Sequence, residues 1–173
     1  AVAKARADAA AKPKDAAAQM TLTRAEFAAG HFDATEKAAL AKLKKVFLVV
    51  AGAAVQRFGD KLKDEQEVLL ALADVAIQAF AVECALLRAE KTTPGRSPAQ
   101  RALAAAAVKV HTFSAAEKVA TAARRAALYV AEGDLATQLL GGIRRFSSYD
   151  AAGLLQAKRL LADAVVADER YPF

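Results

Sequence analysis

From Asp64 to Lys91 the chain reads DEQEVLLALADVAIQAFAVECALLRAEK, and between Val68 and Leu87 only Asp74, Gln78 and Glu83 interrupt the apolar surface. Such a run predicts a long helix, apolar around nearly its whole circumference and enclosed by other helices, with Leu70, Ile77 and Phe80 sealed from water. Upstream, Leu40, Leu43, Phe47, Val50 and Ala54 recur at alternating spacings of three and four, the seam of an antiparallel bundle. That helix is predicted to begin at Asp33, where D-A-T-E sets an acidic cap and a glutamate three residues on, and to run to about Phe58 with Gly59 as its stop. Asp64 and Glu67 repeat the capping pattern for the second helix. The connection between the two is short, which makes them antiparallel neighbours.

The segment Thr92 to Gln100, TTPGRSPAQ, breaks the second helix at Pro94-Gly95 and starts a third, with Ser97 as cap, Pro98 at the first helical position and Gln100 closing the box. The third helix is expected to reach about Glu132. Its inward stripe of Ala106, Val110, Phe113, Ala116, Ala120, Ala123 and Ala127 is mostly alanine, which implies close approach of helix axes. A shorter helix from Asp134 to about Phe146 carries Leu135, Leu139, Ile143 and Phe146, with Gly141-Gly142 expected to kink or end it. A last helix from Asp150 to about Asp168 turns Leu154, Leu161 and Val165 inward before Pro172. The fold class is all-α: an antiparallel helical bundle of three long helices and two shorter ones, without repeats at solenoid periods.

Residues 1–32 differ from this pattern. Alanine and lysine dominate, Pro13 interrupts a short helix expected over Val2 to Lys12, and the large apolar residues are few (Met20, Leu22, Phe27). The expected division is a connecting arm over 1–32 and one compact bundle domain over 33–173, a length sufficient for a core. The opening AVAKARADAAAKPK, without an initiator Met, reads as a fragment or a processed piece.

Composition sharpens the class without naming a chemistry. Hydrophobic residues are 55% and aromatics only 6%, with no Trp, so alanine supplies much of the apolar share and favours helix. A net charge of +6 is ordinary for a soluble domain and favours anionic partners only weakly. The lone Cys84 excludes a disulfide framework and is expected to be an inert core residue. The uninterrupted apolar run Val46 to Val55 falls short of the ~20 residues that span a bilayer.

Glu83 is the most interesting polar residue, since it lies half a turn from Asp74 among Ala76, Ala79, Phe80, Leu86 and Leu87. Its structural reading is a carboxylate paired with a cation of a neighbouring helix, such as Lys109 or Arg124; its functional reading is an acid or base with a raised pKa, in a small enzyme or acyl-binding protein. His31 and His111 sit in no metal-ligand spacing, and the Glu-x-x-His pairs of a di-iron bundle are missing. Gly-x-Ser-x-Gly, the P-loop and G-x-G-x-x-G do not occur. The basic pairs Lys44-Lys45, Arg124-Arg125, Arg144-Arg145 and Lys158-Arg159 are either solvated faces or, if the fold gathers them, a patch for an anionic membrane surface or another protein. No aromatic residues interleave with them as a nucleic-acid site requires, so nucleic acid is not an expected partner.

The run KVFLVVAGAAVQRFGDKLKDEQEVLLALADVAIQAFAVECALLRAEK, Lys45 to Lys91, resembles the carboxy-terminal region of acyl-CoA dehydrogenases of the very-long-chain type and their bacterial relatives, and the ending LLADAVVADERYPF resembles the tail of the same enzymes. The resemblance covers roughly Thr35 to Phe173. It implies an appended helical bundle, inert by itself, that packs on the catalytic portion of an FAD-dependent enzyme of fatty-acid β-oxidation. FAD, the acyl-CoA and the catalytic glutamate then belong to that preceding portion, where a Glu-Gly-Thr-Asn segment is expected; this chain has none, so no catalytic, cofactor-binding or metal residue is carried over, Glu83 included. The resemblance also implies a homo-oligomer in the bacterial cytoplasm, with peripheral contact at the inner membrane face as a secondary expectation. In the relatives that contact involves a segment falling near Ala1 to Gly30, which in this chain is poor in large apolar residues.

Overall fold

The computed structural model describes residues 34–169 together with Ala3, Lys4 and Ala7, and all regular structure among them is helical. The expectations for the arm, for the Asp33 cap, for His31 and for Pro172 fall outside the described residues, apart from Ala3, Lys4 and Ala7, which are helical. Five α-helices follow one another: α1 (Ala34–Phe58), α2 (Gln66–Thr92), α3 (Pro98–Val130), α4 (Gly133–Phe146) and α5 (Leu154–Asp168). Short 3-10 turns, Gly59–Asp64 and Thr93–Gly95, join α1 to α2 and α2 to α3.

The helix boundaries show where local chemistry decides. Gly59 ends α1 with φ of +51°, a left-handed conformation that a glycine adopts without the cost of a Cβ. Ser97 and Gln100 form the predicted box: the Gln100 amide donates to Ser97 Oγ at 3.3 Å, and the Ser97 amide donates to Gln100 Oε1 at 3.0 Å. The box predicted at Asp64 is replaced. Residues 59–64 wind into the 3-10 turn, so α2 starts at Gln66 and the carbonyl of Glu65 accepts its first helical bond, from the Leu69 amide at 3.0 Å. Gly141 and Gly142 neither end nor interrupt α4, because two glycines in a helix flanked by Leu139 and Ile143 cost less than those buried side chains return. The last helix starts later than expected: Asp150 Oδ1 caps a turn by accepting from the Ala152 amide at 3.0 Å, and Gly153 with φ of +75° leads into Leu154.

Contacts along the chain gather into two compact units. One comprises residues 37–84 and 112–149; the other comprises 1–36, 85–111 and 150–173. In the first, Leu43, Val46, Val50, Val75, Val82 and Val119 are almost wholly enclosed, and alanines of α3 such as Ala115, Ala116 and Ala123 fill the spaces between them. Lys44 of α1 meets Glu83 of α2 there, which with the short connection sets the two helices antiparallel. In the other unit the buried residues are again small: Ala89, Ala104, Ala105, Ala106 and Ala157, with Leu86 and Val108. Alanine-faced helices pack closely, near the lower end of the ~8 to 10 Å spacing.

The inward stripes of α1 and α3 are seen largely as predicted, with Leu43, Val50, Ala54, Ala106, Ala116, Ala123 and Ala127 buried. Three expectations are corrected. Leu70, Ile77 and Phe80 are not sealed: they are 65%, 58% and 67% exposed, because α2 buries only the opposite face through Val68, Val75, Val82 and Ala89. Leu135 of α4 and Val165 of α5 also point outward, leaving Leu139 and Ile143 to anchor α4 and Ala157 to anchor α5.

Candidate functional site

Glu83 sits two-fifths exposed on α2, and its Oε1 accepts from Lys44 Nζ at 2.6 Å, the two side chains being 37% and 49% exposed. The ion-pair reading of this residue is thus the observed one, but the cation is Lys44 rather than Lys109 or Arg124. Lys109 instead faces Glu36 at 3.6 Å, both largely buried, and Arg124 donates from Nε to the Ala120 carbonyl of its own helix at 3.1 Å. A carboxylate held by a lysine, with both side chains in contact with water, is not enclosed in an apolar pocket. The acyl-binding reading of Glu83 loses its geometric basis.

Cys84 is exposed rather than part of the core, because its position on α2 falls on the outward stripe with Phe80 and Leu87. His111 is half-buried and lines a hollow of about 180 Å³ with Arg88 and Arg96 over alanines 85, 89 and 104. Among the described residues no group of three or more His, Cys, Asp or Glu gathers around a point that could hold a metal ion.

Two further hollows lie within the unit of residues 37–84 and 112–149. One, of about 420 Å³, is bordered by Asp74, Gln78, Glu117, Lys118, Thr121 and Arg125; the other, of about 360 Å³, is bordered by Gln56, Arg57, Tyr129, Glu132 and Leu135. The hollow with two arginines is smaller than the ~300 Å³ at which ligand pockets begin, and the other two set carboxylates beside cations, Asp74 and Glu117 with Lys118 and Arg125 in one and Glu132 with Arg57 in the other. No step of flavin chemistry is assigned to these residues.

The basic pairs are exposed and are used differently from one another. Lys44 is tied to Glu83, whereas Lys45 and Arg145 each lie 6.0 Å from the centre of the Phe146 ring, a cation–π arrangement that brings two of the pairs, from α1 and α4, to one place. In the sequence, a basic residue directly preceding an aromatic at a helix end is the signal that marks Phe146.

Gln66–Gly95 is long and apolar enough to cross a membrane by length and composition, a test that the shorter run Val46 to Val55 does not meet. A core helix passes the same test, and in this chain Val68, Val75 and Val82 are covered by protein at 0 to 2% exposure.

Comparison with known proteins agrees with this architecture. The family described as the acyl-CoA dehydrogenase C-terminal domain matches residues 42–145, more than half of the chain. A probable acyl-CoA dehydrogenase of Bacillus subtilis (strain 168) is 27% identical over 136 residues, which is 79% of this chain and 23% of that protein. The crystal structure of an acyl-CoA dehydrogenase complexed with FAD from Bacillus anthracis superposes with a TM-score of 0.70 at 29% identity, covering 79% of this chain and 23% of that one. The chain spans about a quarter of the length of these relatives. A chain whose described regular structure is all helical, and which that family matches along α1 to α4, belongs to the acyl-CoA dehydrogenases, as their C-terminal domain.

Proposed function

We propose that this chain is the non-catalytic helical domain of an FAD-dependent acyl-CoA dehydrogenase of fatty-acid β-oxidation, where it packs on the catalytic portion and supports assembly or the handling of long acyl chains. The observation that carries the reading is the match of residues 42–145 to the C-terminal domain family. The bacterial cytoplasm is the proposed location. The outward apolar side chains Leu70, Ile77 and Phe80, set along one face of α2, fit this role, since contiguous exposed apolar surface marks an interaction site.

The test is complementation. The catalytic portion of the same enzyme, produced without this segment, is expected to bind FAD, to unfold at a lower temperature than the whole enzyme and to lose rate on longer acyl-CoA substrates. Adding the 173-residue chain should restore both properties. Heat resistance and chain-length preference that are identical with and without the chain would refute the role.

A second reading, contact with anionic lipid, rests on the gathering of Lys45 and Arg145 at Phe146. Liposome flotation separates it from the first, because lipid binding through these cations must weaken as salt rises, and absence of flotation at low salt removes it.

A further inference from the structure

Arg88 near the end of α2 and Arg96 in the connection after it line, with His111 of α3, the hollow of about 180 Å³. All of its described lining residues fall within 85–111, one stretch of a single compact unit. Small side chains make the space. Ala85 and Ala89 share a face of α2 with Arg88, and Ala104 and Ala107 share a face of α3 with His111, so methyl groups stand where larger residues would close the gap between the helices. The floor is apolar and covered: Ala89, Ala104 and Val108 are 3 to 5% exposed.

The charge of this hollow has one sign. The other two hollows set carboxylates beside their cations, whereas no Asp or Glu is among the described residues that line this one. Neither guanidinium has an ion-pair partner among the described residues, while Lys44 and Lys109 are matched by Glu83 and Glu36. Arg96 is also held in place by the backbone: its amide donates to the Thr93 carbonyl at 3.2 Å, and the Ser97–Gln100 box fixes the residue that follows it. Arg101 stands three residues before Ala104 on the same face of α3, and its Nε is buried without a hydrogen-bond partner, a third guanidinium donor toward that end of the helix.

Two guanidinium forks and an imidazole N–H around one apolar floor suit an oxyanion, bound by charge-assisted hydrogen bonds that low polarity strengthens. Size and charge narrow the class. At ~30 Å³ per water the hollow holds the equivalent of about six waters, too little for a nucleotide and enough for one tetrahedral group. A phosphate monoester carries about −1.5 to −2 at neutral pH, which balances two arginines. Its three terminal oxygens match two forks and an imidazole better than the two oxygens of a carboxylate.

We infer that the hollow of Arg88, Arg96 and His111 is a binding site for the phosphoryl group of a phosphate monoester. The two guanidiniums hold its oxygens, His111 donates a further hydrogen bond, and the rest of the ester leaves toward solvent past Arg88, the exposed member of the set. The site goes beyond the packing role, and either can fail while the other stands.

Titration of the 173-residue chain with inorganic phosphate, at an ionic strength kept constant with chloride and followed through the arginine side-chain N–H signals in NMR, tests the site. Saturable binding with a Kd of about 1 mM or below is expected. Arg88→Gln and Arg96→Gln should each weaken it at least about tenfold, and Arg96→Lys nearly as much, since an ammonium does not replace the fork. Ala107→Phe should abolish binding by filling the hollow with both arginines in place. Arg144→Gln, which removes one positive charge from α4 in the other unit, should leave the affinity unchanged. Circular dichroism checks that each variant stays helical. Two further probes identify the source of the group. Glycerol 3-phosphate that displaces phosphate, without flotation of phosphatidic-acid vesicles, marks a soluble ester; flotation that is lost in Arg96→Gln and competed by glycerol 3-phosphate marks a lipid headgroup. A titration that does not saturate, acetate binding as tightly as phosphate, an affinity that falls as far in Arg144→Gln as in Arg96→Gln, or binding that survives Ala107→Phe would overturn the inference.

Discussion

Thr112 is completely enclosed on α3, and its hydroxyl has no hydrogen-bond partner. An unpaired buried hydroxyl costs more than the methyl that would replace it, so Thr112→Val is expected to stabilise the chain by about 1 kcal/mol. A rise in thermal midpoint of a few degrees checks this; a fall would show a partner or a packing constraint at that hydroxyl. Glu36 and Lys109, 5% exposed and nearly buried respectively, behave oppositely. Removing one side of such a pair leaves the other charge in a poor environment, and Glu36→Ala should cost about 3 kcal/mol in denaturant unfolding, whereas a loss under about 0.5 kcal/mol would mean that water already serves Lys109. At this scale the sequence was legible in kind and not in partner. The ion pairing of Glu83 followed from its place on an apolar helix, but which of many lysines it meets depends on the register of α1 against α2, which no local pattern encodes.

Helix ends and helix faces were read with unequal success. The Ser97 box and the Gly59 stop were legible because they rest on bonds and backbone angles within a few residues. Ser97→Ala is accordingly expected to cost about 1 kcal/mol, measured by the urea midpoint, and no change would show that the cap is redundant with Pro98. Asp64 misled because its capping pattern competes with a 3-10 turn of the preceding residues. In α4, a Cβ placed on Gly141 or Gly142 meets nothing within 4 Å, so Gly141→Ala and Gly142→Ala should each stabilise by about 0.5 to 1 kcal/mol. Destabilisation by either would mean that a neighbour or partner approaches the helix there. The faces of α2 were not legible: an apolar circumference predicts burial all round, but it does not say which face the chain's own core covers, and here that is the face of Val68, Val75 and Val82.

For the whole molecule, all-helical architecture and family were legible from alanine-rich periodicity and from the run Lys45 to Lys91. What was not legible is the surface, since among the described residues fourteen large apolar side chains remain exposed. Those exposed side chains are what the proposed role, packing on the catalytic portion, would cover. Sedimentation of the FAD-loaded catalytic portion, followed at the flavin absorbance with and without this chain, tests the claim most directly. The account predicts that the flavin boundary moves faster when the chain is added, while the chain alone sediments without flavin absorbance; an unchanged boundary, or a chain that carries its own stoichiometric FAD, would contradict it.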